Sequence, residues 1–266
     1  MGPIAKSETQ GGVQSVTRAL DLMRALAREE EGRRVSDLAK ETGLAVSTAH
    51  RLLTTLELSG FAQFDSATML WHVGREAFAV GATFGRRRNF VAPALPFLRR
   101  LRDATRETAN LGILEGDRLV TVSQVESREI MRAISPPGGT APVFCSGMGK
   151  AIVSTWEEAQ IRALIGRVGL PRITARSLAT PEAVLADLAA CRQRGYAVDN
   201  EEHITGLRCV ASVVWSAQAE PVCAISISGL AARLPEQDLD QIGQLVRQAA
   251  HQLTQALGGT APEAVV

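Results

Sequence analysis

Hydroxyl side chains, one histidine and one arginine are grouped within eight residues near the N-terminus, and together they could contact nucleic acid. They are Ser47, Thr48, His50, Arg51 and Thr54. Arginine and small polar side chains donate to the base edges and phosphates of DNA. These residues share one surface only if the segment is a helix, in which residues three and four apart are neighbours. The spacing therefore predicts a helix that presents a polar face to a DNA groove.

Two short helical patterns that meet at a glycine must position this polar face. The first is expected to begin at Ser36, which suits an N-cap, and to end at Gly43, which suits a left-handed residue. The buried side of the second has apolar residues at i, i+3, i+4 and i+7, namely Ala49, Leu52, Leu53 and Leu56. This pattern predicts a helix-turn-helix, although a helical hairpin that serves only in packing has the same pattern.

The flanking segments favour the DNA-binding alternative. An upstream apolar stripe predicts a third helix, through Val16, Ala19, Leu20, Met23, Leu26 and Ala27. Downstream, the runs FAQFD and MLWHV are separated by a polar turn and predict a β-hairpin. Three helices followed by a hairpin form a winged helix-turn-helix. Arg33, Lys40 and the wing are expected to add phosphate contacts.

Composition excludes several classes of protein. The 266 residues carry a net charge of +1, and residues 1–88 hold 12 basic and 10 acidic side chains, so a DNA-binding surface must be local. No apolar run reaches the ~18 residues of a membrane span, and the first residues lack the apolar core of a signal peptide. The four cysteines show no C-x-x-C spacing of a zinc or redox site, and the GMGKAI segment fails the dinucleotide-binding fingerprint, so neither a metal nor a cofactor is expected. A cytoplasmic protein is the expectation.

The chain is predicted to contain two domains. The expected division is a disordered tail over 1–12, the winged domain over 13–73, a linker helix over 74–88, an α+β domain over 89–257 and a flexible tail over 258–266. A helix is predicted over 90–108 with Leu95, Leu98, Leu101 and Ala104 facing inward. Strands are predicted at NLGILEG, RLVTVSQVE, IMRAIS, YAVDN, LRCVASVVW and EPVCAISISG. Helices are predicted from Ser146, over 157–164, over 181–194 and at the end of the domain.

Five segments in this order resemble the isocitrate lyase regulator (IclR) family of bacterial transcription factors. They are VQSVTRALDLMRAL, LAVSTAHRLLTTLELSGF, SGMGKAIV, GYAVDNEEHITGLRCVAS and AISISG, and the resemblance covers roughly residues 13–257. It implies an N-terminal winged helix-turn-helix, mainly α, joined by a helix to a C-terminal α+β GAF-like effector-binding domain. It also implies a homodimer or dimer of dimers, a palindromic DNA operator, and a small organic acid as effector. A local repressor of a catabolic operon is the expected function.

The resemblance also implies where the effector binds. Gly147 and Met148 lie at the start of a predicted helix, where free N–H groups favour a carboxylate. Ser226 and Ser228 alternate along a strand and so face the same side. The family lines its pocket at the positions of Asp199 and Cys209, and the IMRAI segment suggests Ile130 and Ala133 as an apolar wall.

Three other interpretations are weaker. A hydrolase would need a G-x-S-x-G elbow, and CSGMG has its serine in the wrong place. His203, Asp199 and Cys209 are metal-ligand types, but their spacing is not that of a known metal site. A GAF-like protein-interaction module with little specific DNA binding stays open. No catalytic residues are predicted.

Overall fold

The computed structural model describes residues 12–86 and 90–262. The chain divides into two compact units, Met1–Arg87 and Arg88–Val266. Most of the tail predicted over 1–12, the last four residues of the tail predicted over 258–266 and the end of the predicted linker helix lie outside the described residues. Among the described helices, none combines the length and apolar character that crossing a membrane requires.

The first unit is a three-helix core followed by a two-stranded wing and a further helix. Its elements are α1 (Gln14–Leu26), α2 (Val35–Thr42), α3 (Val46–Leu58), β1 (Ala62–Asp65), β2 (Leu70–Val73) and α4 (Arg75–Arg86). The strands pair antiparallel, and Trp71 of β2 is buried among the core leucines of the three helices. The winged helix-turn-helix prediction is confirmed.

Two local predictions about this unit were wrong. Helix α2 begins at Val35 with Arg34 as its N-cap, so Ser36 lies within the helix rather than capping it. The buried face of α1 is Leu22, Ala25 and Leu26, whereas Val16 and Leu20 of the predicted stripe are exposed. The α1 helix packs on its neighbours through its C-terminal half, and this leaves the apolar residues of its first turns uncovered.

The turn between α2 and α3 depends on Gly43, whose φ of +67° is left-handed. No atom lies within 4 Å of a Cβ added there, so the cost of a side chain is backbone strain alone. We expect Gly43→Ala to lower the free energy of unfolding by about 1–2 kcal/mol, measured by urea denaturation of the full chain. Gly81 in α4 is the matched control because it has equal space and no positive φ. Gly81→Ala should stabilise by about 0.5–1 kcal/mol, and equal losses in both variants would contradict the explanation.

The second unit is an antiparallel six-stranded sheet with helices on both faces. Its elements are α5 (Val91–Thr105), β3 (Thr108–Glu115), β4 (Arg118–Val125), β5 (Thr140–Pro142), α6 (Gly147–Val153), α7 (Glu158–Val168), α8 (Pro181–Arg194), β6 (Ala197–Asn200), β7 (Leu207–Trp215), β8 (Pro221–Leu230) and α9 (Leu239–Ala256). The strand order is β5-β4-β3-β8-β7-β6. The α5 and α9 helices pack on one face, and α6 and α8 pack on the other. This confirms the predicted α+β class, and a GAF-like description fits it.

Two further predictions need correction. The IMRAIS segment forms no strand and lies in an irregular connection between β4 and β5. In α5, Ala94 is buried beside Leu98 and Leu101, while Leu95 is only half-buried and Ala104 is exposed. At the start of the predicted tail over 258–266, the amides of Gly259 and Thr260 donate to the carbonyl oxygens of Thr254 and Ser216.

Candidate functional site

The exposed face of α3 carries the polar residues expected to contact DNA. Ser47, His50 and Arg51 are exposed, and Thr48 and Thr54 are half-buried beside them. Ala49 and Leu53 anchor the opposite side of the helix in the core. The structure therefore brings the five predicted residues onto the solvent-facing part of one helix.

Hydroxyl groups on this face differ in what they can offer a ligand. The Thr54 Oγ1 donates to the carbonyl oxygen of His50 at 3.0 Å, and Thr55 Oγ1 donates to that of Arg51 at 2.9 Å. Each of these hydroxyls keeps lone pairs but has its proton engaged within the helix. Thr54 is therefore suited to accept a hydrogen bond from a base amino group rather than to donate one.

Aromatic contacts attach the wing to this helix. The imidazole of His50 meets the ring of Trp71 edge-on, with centroids 6.1 Å apart, and Phe64 lies 4.9 Å from Trp71 on the wing. Arg33 and Trp71 also exchange backbone hydrogen bonds of 2.9 and 2.8 Å. These contacts hold the wing and α3 in one orientation, as a surface that meets a DNA duplex requires.

The two residues predicted to contact phosphate, Lys40 and Arg33, lie in different surroundings. Lys40 is exposed at the end of α2. The Arg33 guanidinium instead pairs with Glu41 and also donates to the carbonyl oxygen of Ala25 at 3.3 Å. This placement turns the Arg33 guanidinium toward the protein and argues against it as a phosphate ligand, although Glu41 also pairs with Arg28 and so offsets only one of the two positive charges.

The wing tip, which is the turn between β1 and β2 over residues 66–69, can present backbone and hydroxyl groups to DNA but carries no basic side chain. Asp65 accepts hydrogen bonds from the amide of Ala67 at 2.9 Å and the hydroxyl of Thr68 at 2.8 Å. These bonds hold the pKa of Asp65 below its usual range. The turn is thus built around a carboxylate, which limits how closely this tip can approach a phosphate.

In the second unit, strand register aligns the residues expected to bind an effector. Asp199 on β6 pairs with Cys209 on β7, which pairs with Ser228 on β8, which pairs with Thr108 on β3. Alternation along each strand turns these side chains toward the same face of the sheet. Residues far apart in sequence therefore form one row across four strands.

A cavity of about 220 Å³ lies over this row. Five of the eight predicted effector residues line it, namely Ala133, Met148, Asp199, Cys209 and Ser228. Other polar lining groups are supplied by Asn110, Thr121, Thr140, Ser146, His203 and Arg208. The predicted pocket residues thus largely converge on one partly open cavity with many hydrogen-bonding groups.

The remaining three predicted residues lie elsewhere. Gly147 lies behind the lining, where an added Cβ would be 3.0 Å from the sulfur of Cys209. Ser226 is fully buried and accepts a hydrogen bond of 3.3 Å from Asn110, whose Nδ2 also reaches Ser228 at 3.1 Å. Ile130 is 96% exposed and does not line the cavity, so its assignment to an apolar wall was wrong.

Met148 shapes the floor of the cavity. An added Cβ at Gly112 would lie 2.9 Å from both Sδ and Cε of Met148, so the glycine makes room for the thioether. Ser146 caps the helix by accepting the amide of Gly149 at 3.3 Å. The first backbone amides of α6 have no hydrogen-bond partner within the helix, as at every helix start. One of them belongs to Met148, which lines the cavity.

Beside the cavity lies an ion cluster that the sequence analysis missed. Lys150 is fully buried, and its Nζ lies 2.7 and 2.8 Å from the two carboxylate oxygens of Glu202 and 3.0 Å from Asp187. Burial opposes the charge on Lys150, but the two carboxylates outweigh it and raise the lysine pKa. The sequence feature that could have predicted this cluster is the lysine in the apolar run GMGKAIV, because a lysine buried in a core requires acidic partners.

His203 has a buried Nδ1 atom with no hydrogen-bond partner among the described residues. Burial, and then the charge of Arg118, lower the pKa of His203, which favours its neutral form.

Within residues 12–86 and 90–262, no three His, Cys, Asp or Glu side chains cluster as a metal site would need.

A larger cavity of about 680 Å³ lies elsewhere in this unit, lined by residues that include Trp156, Arg192, Tyr196 and Trp215. It contains none of the predicted effector residues, and Arg192 is engaged by the carbonyl oxygens of Ser154 and Trp156. Size alone does not make a binding site, and the smaller cavity has the convergent polar groups that a small polar ligand needs.

Comparison with known proteins identifies the family. Residues 15–66 match the IclR helix-turn-helix domain, and residues 84–255 match the C-terminal domain of bacterial transcriptional regulator IclR. The chain belongs to the IclR family. It is a DNA-binding transcriptional regulator, with a helix-turn-helix unit and a C-terminal α+β unit as in other IclR proteins.

Named relatives extend over nearly the whole chain. The acetate operon repressor of Salmonella typhimurium is 40% identical over 94% of this chain and 92% of its own. The transcriptional repressor IclR of Escherichia coli is 38% identical over 96% and 94%. The crystal structure of Thermotoga maritima IclR has a TM-score of 0.78 at 25% identity, covering 92% and 98%. A homologue from Microbacterium hydrocarbonoxydans, solved with 4-hydroxybenzoate, shares the fold at 19% identity with a TM-score of 0.76, covering 92% and 99%.

Proposed function

We propose that this IclR protein represses a neighbouring catabolic operon and that a small organic acid bound in the 220 Å³ cavity controls its affinity for DNA. The observation that carries the proposal is the presence, in one chain, of an exposed polar face on α3 and of a cavity lined by many polar groups. The acid needs only to bind one DNA-binding state better than another, and about 1.4 kcal/mol of coupling changes operator affinity tenfold.

We propose that the operator is palindromic and that a homodimer, alone or joined into a dimer of dimers, binds it. Two recognition helices then enter successive major grooves about 34 Å apart. Exposed apolar side chains on the first unit support self-association; they are Val13, Val16 and Leu20 on or beside α1, and Phe78 and Val80 on α4. Arg51, Ser47, Thr48 and His50 make the base and phosphate contacts in this proposal, with Lys40 at the edge.

We place the protein in the cytoplasm and assign it no catalytic role. Its relatives are named as transcriptional repressors, and all four cysteines are free thiols. Burial first, and then the charge of Asp199, raise the pKa of Cys209 to about 11. This thiol is therefore protonated at neutral pH and suits a lining role rather than a nucleophilic one.

The proposal distinguishes Ser228 from Ser226, although they are two residues apart on one strand. Ser228 lines the cavity, whereas Ser226 is fully buried behind it. Ser228→Ala should weaken acid binding about two- to twelvefold, the value of a hydrogen bond worth about 0.5–1.5 kcal/mol. Ser226→Ala is the matched control and should leave acid affinity unchanged. Calorimetric titration of both variants with acetate, glycolate, pyruvate and benzoate measures this, and equal effects of the two substitutions would place the ligand elsewhere.

A further inference from the structure

The cavity wall is short of available positive charge for an anionic ligand. Of its described lining residues, only Arg208 and His203 have basic side chains. The Arg208 guanidinium is engaged on every side by protein acceptors, which are the carbonyl oxygens of Ala231 and Leu234, the amide oxygen of Asn200, and the carboxylates of Glu201 and Glu236. His203 favours its neutral form. Among the lining residues, a carboxylate that enters the cavity therefore finds no cation that is free of protein partners. Arg118, whose charge contributes to the lowered pKa of His203, lies outside the lining and donates to the Thr140 Oγ1 at 3.2 Å.

The groups next to the cavity carry an excess of negative charge. Lys150 supplies one positive charge, while Glu202 and Asp187 supply two negative ones. Asp199 adds a third carboxyl group directly in the cavity wall, with only 7% of its surface exposed. Glu202 has a salt-bridge partner in Lys150, and Asp199 has none among the described residues.

Hydrogen bonding leaves one oxygen of Asp199 available. Its Oδ1 accepts the backbone amide of Glu202 at 2.7 Å and that of His203 at 3.4 Å. A proton would therefore be carried on Oδ2. Burial, and then the charge of Glu202, raise the pKa of Asp199 to about 7 against the opposing effects of its amide bonds and Lys150. Cys209, which faces it from β7, and Cys145 both have pKa values of about 11 and stay neutral.

We propose that Asp199 binds the effector as a neutral acid, donating a hydrogen bond from its carboxyl group to the effector carboxylate, so that binding takes up one proton from solvent. This role rests on the proposed function, because it assumes that the cavity binds an organic acid. A carboxylate beside an ionised Asp199 would add a like charge in a buried space, and protonation removes that repulsion. The protonated carboxyl group of Asp199 then donates a hydrogen bond to the effector carboxylate, in a cavity whose lining offers no free cation for it.

The test is calorimetric titration of the full chain with acetate, glycolate and pyruvate between about pH 6 and pH 8.5, where these acids stay ionised. Two buffers with different ionisation enthalpies report the number of protons exchanged. We expect affinity to fall about tenfold per pH unit above the Asp199 pKa, as uptake of one proton requires. At the upper end of the range, about one proton should be taken up for each acid bound.

Asp199→Asn retains a donor but has no proton to gain. It should bind the same acids with nearly equal affinity across the range and without proton exchange. Asp103→Asn, the same change at an exposed site on α5, should keep the wild-type proton uptake. Loss of all binding in Asp199→Asn, with pH-independent binding in the wild type, would overturn the inference and make Asp199 an ionised acceptor.

The outcomes separate this inference from the proposed function. Acid binding without proton uptake overturns the role of Asp199 and leaves the effector proposal intact. If the wild type binds no acid even at pH 6, where Asp199 is largely protonated, the proposed effector class is wrong, and this role fails with it.

Discussion

Lys150→Met is expected to lower the free energy of unfolding by about 3–5 kcal/mol, the usual cost of breaking a buried ion pair from one side. The substitution keeps the length and apolar character of the side chain, so little packing is lost. It leaves Glu202, which is nearly inaccessible to solvent, without its cation. The measurement is urea denaturation of the full chain monitored by tryptophan fluorescence, to which Trp156 and Trp215 of this unit and Trp71 of the first unit contribute.

A second variant distinguishes charge imbalance from loss of packing. Adding Glu202→Gln to Lys150→Met removes the uncompensated charge, so the double variant should regain much of the lost stability. Asp187 is partly exposed and can be hydrated without Lys150. A loss below about 1 kcal/mol in the single variant, or a purely additive double variant, would show that the cluster does not stabilise the fold as argued.

Arg51→Ala is expected to weaken binding to the operator by about 1–3 kcal/mol for each recognition helix, or about 5- to 150-fold. Arg51 is exposed on α3, and no ion pair engages its guanidinium among the described residues. A guanidinium in this position can donate two parallel hydrogen bonds to a guanine edge. Fluorescence anisotropy with labelled operator, in the presence of excess random DNA, measures the change, and acid binding in the second unit should be unaffected.

Arg24→Ala is the matched control for this substitution. It removes an exposed arginine from the same unit, where the side chain pairs with Asp21 on α1. We expect it to leave operator affinity nearly unchanged. If Arg51→Ala weakens operator and random DNA equally, Arg51 contacts phosphate rather than a base. If it weakens neither, Arg51 does not belong to the interface.

Local sequence signals predicted the DNA-binding unit well because its elements depend on short-range interactions. The left-handed conformation of Gly43 and the apolar spacing of Ala49 and Leu53 are set within a few residues. Local signals did not predict the position of the Arg33 side chain. Its pairing with Glu41 depends on how α2 packs beside the chain that precedes it, and no periodicity in the sequence encodes that contact.

The cavity shows a similar division. Strand alternation predicted that Ser226 and Ser228 share a face, but only the strand register across the sheet brings Asp199, Cys209 and Ser228 into one row. The exposure of Ile130 could not be anticipated, because its segment pairs with no strand. Lys150 and Glu202 are 52 positions apart, so their pairing is a product of tertiary structure.

The central claim is that one chain couples a specific DNA site to a small acid. The most direct measurement is anisotropy of the purified protein on labelled intergenic DNA beside its own gene, with excess random DNA, followed by titration of acetate, glycolate, pyruvate and benzoate. The account predicts tight, competitor-resistant binding that at least one acid changes about tenfold, corresponding to about 1.4 kcal/mol of coupling. Binding no stronger than to random DNA, with no response to any acid, would contradict it and favour a protein-interaction module.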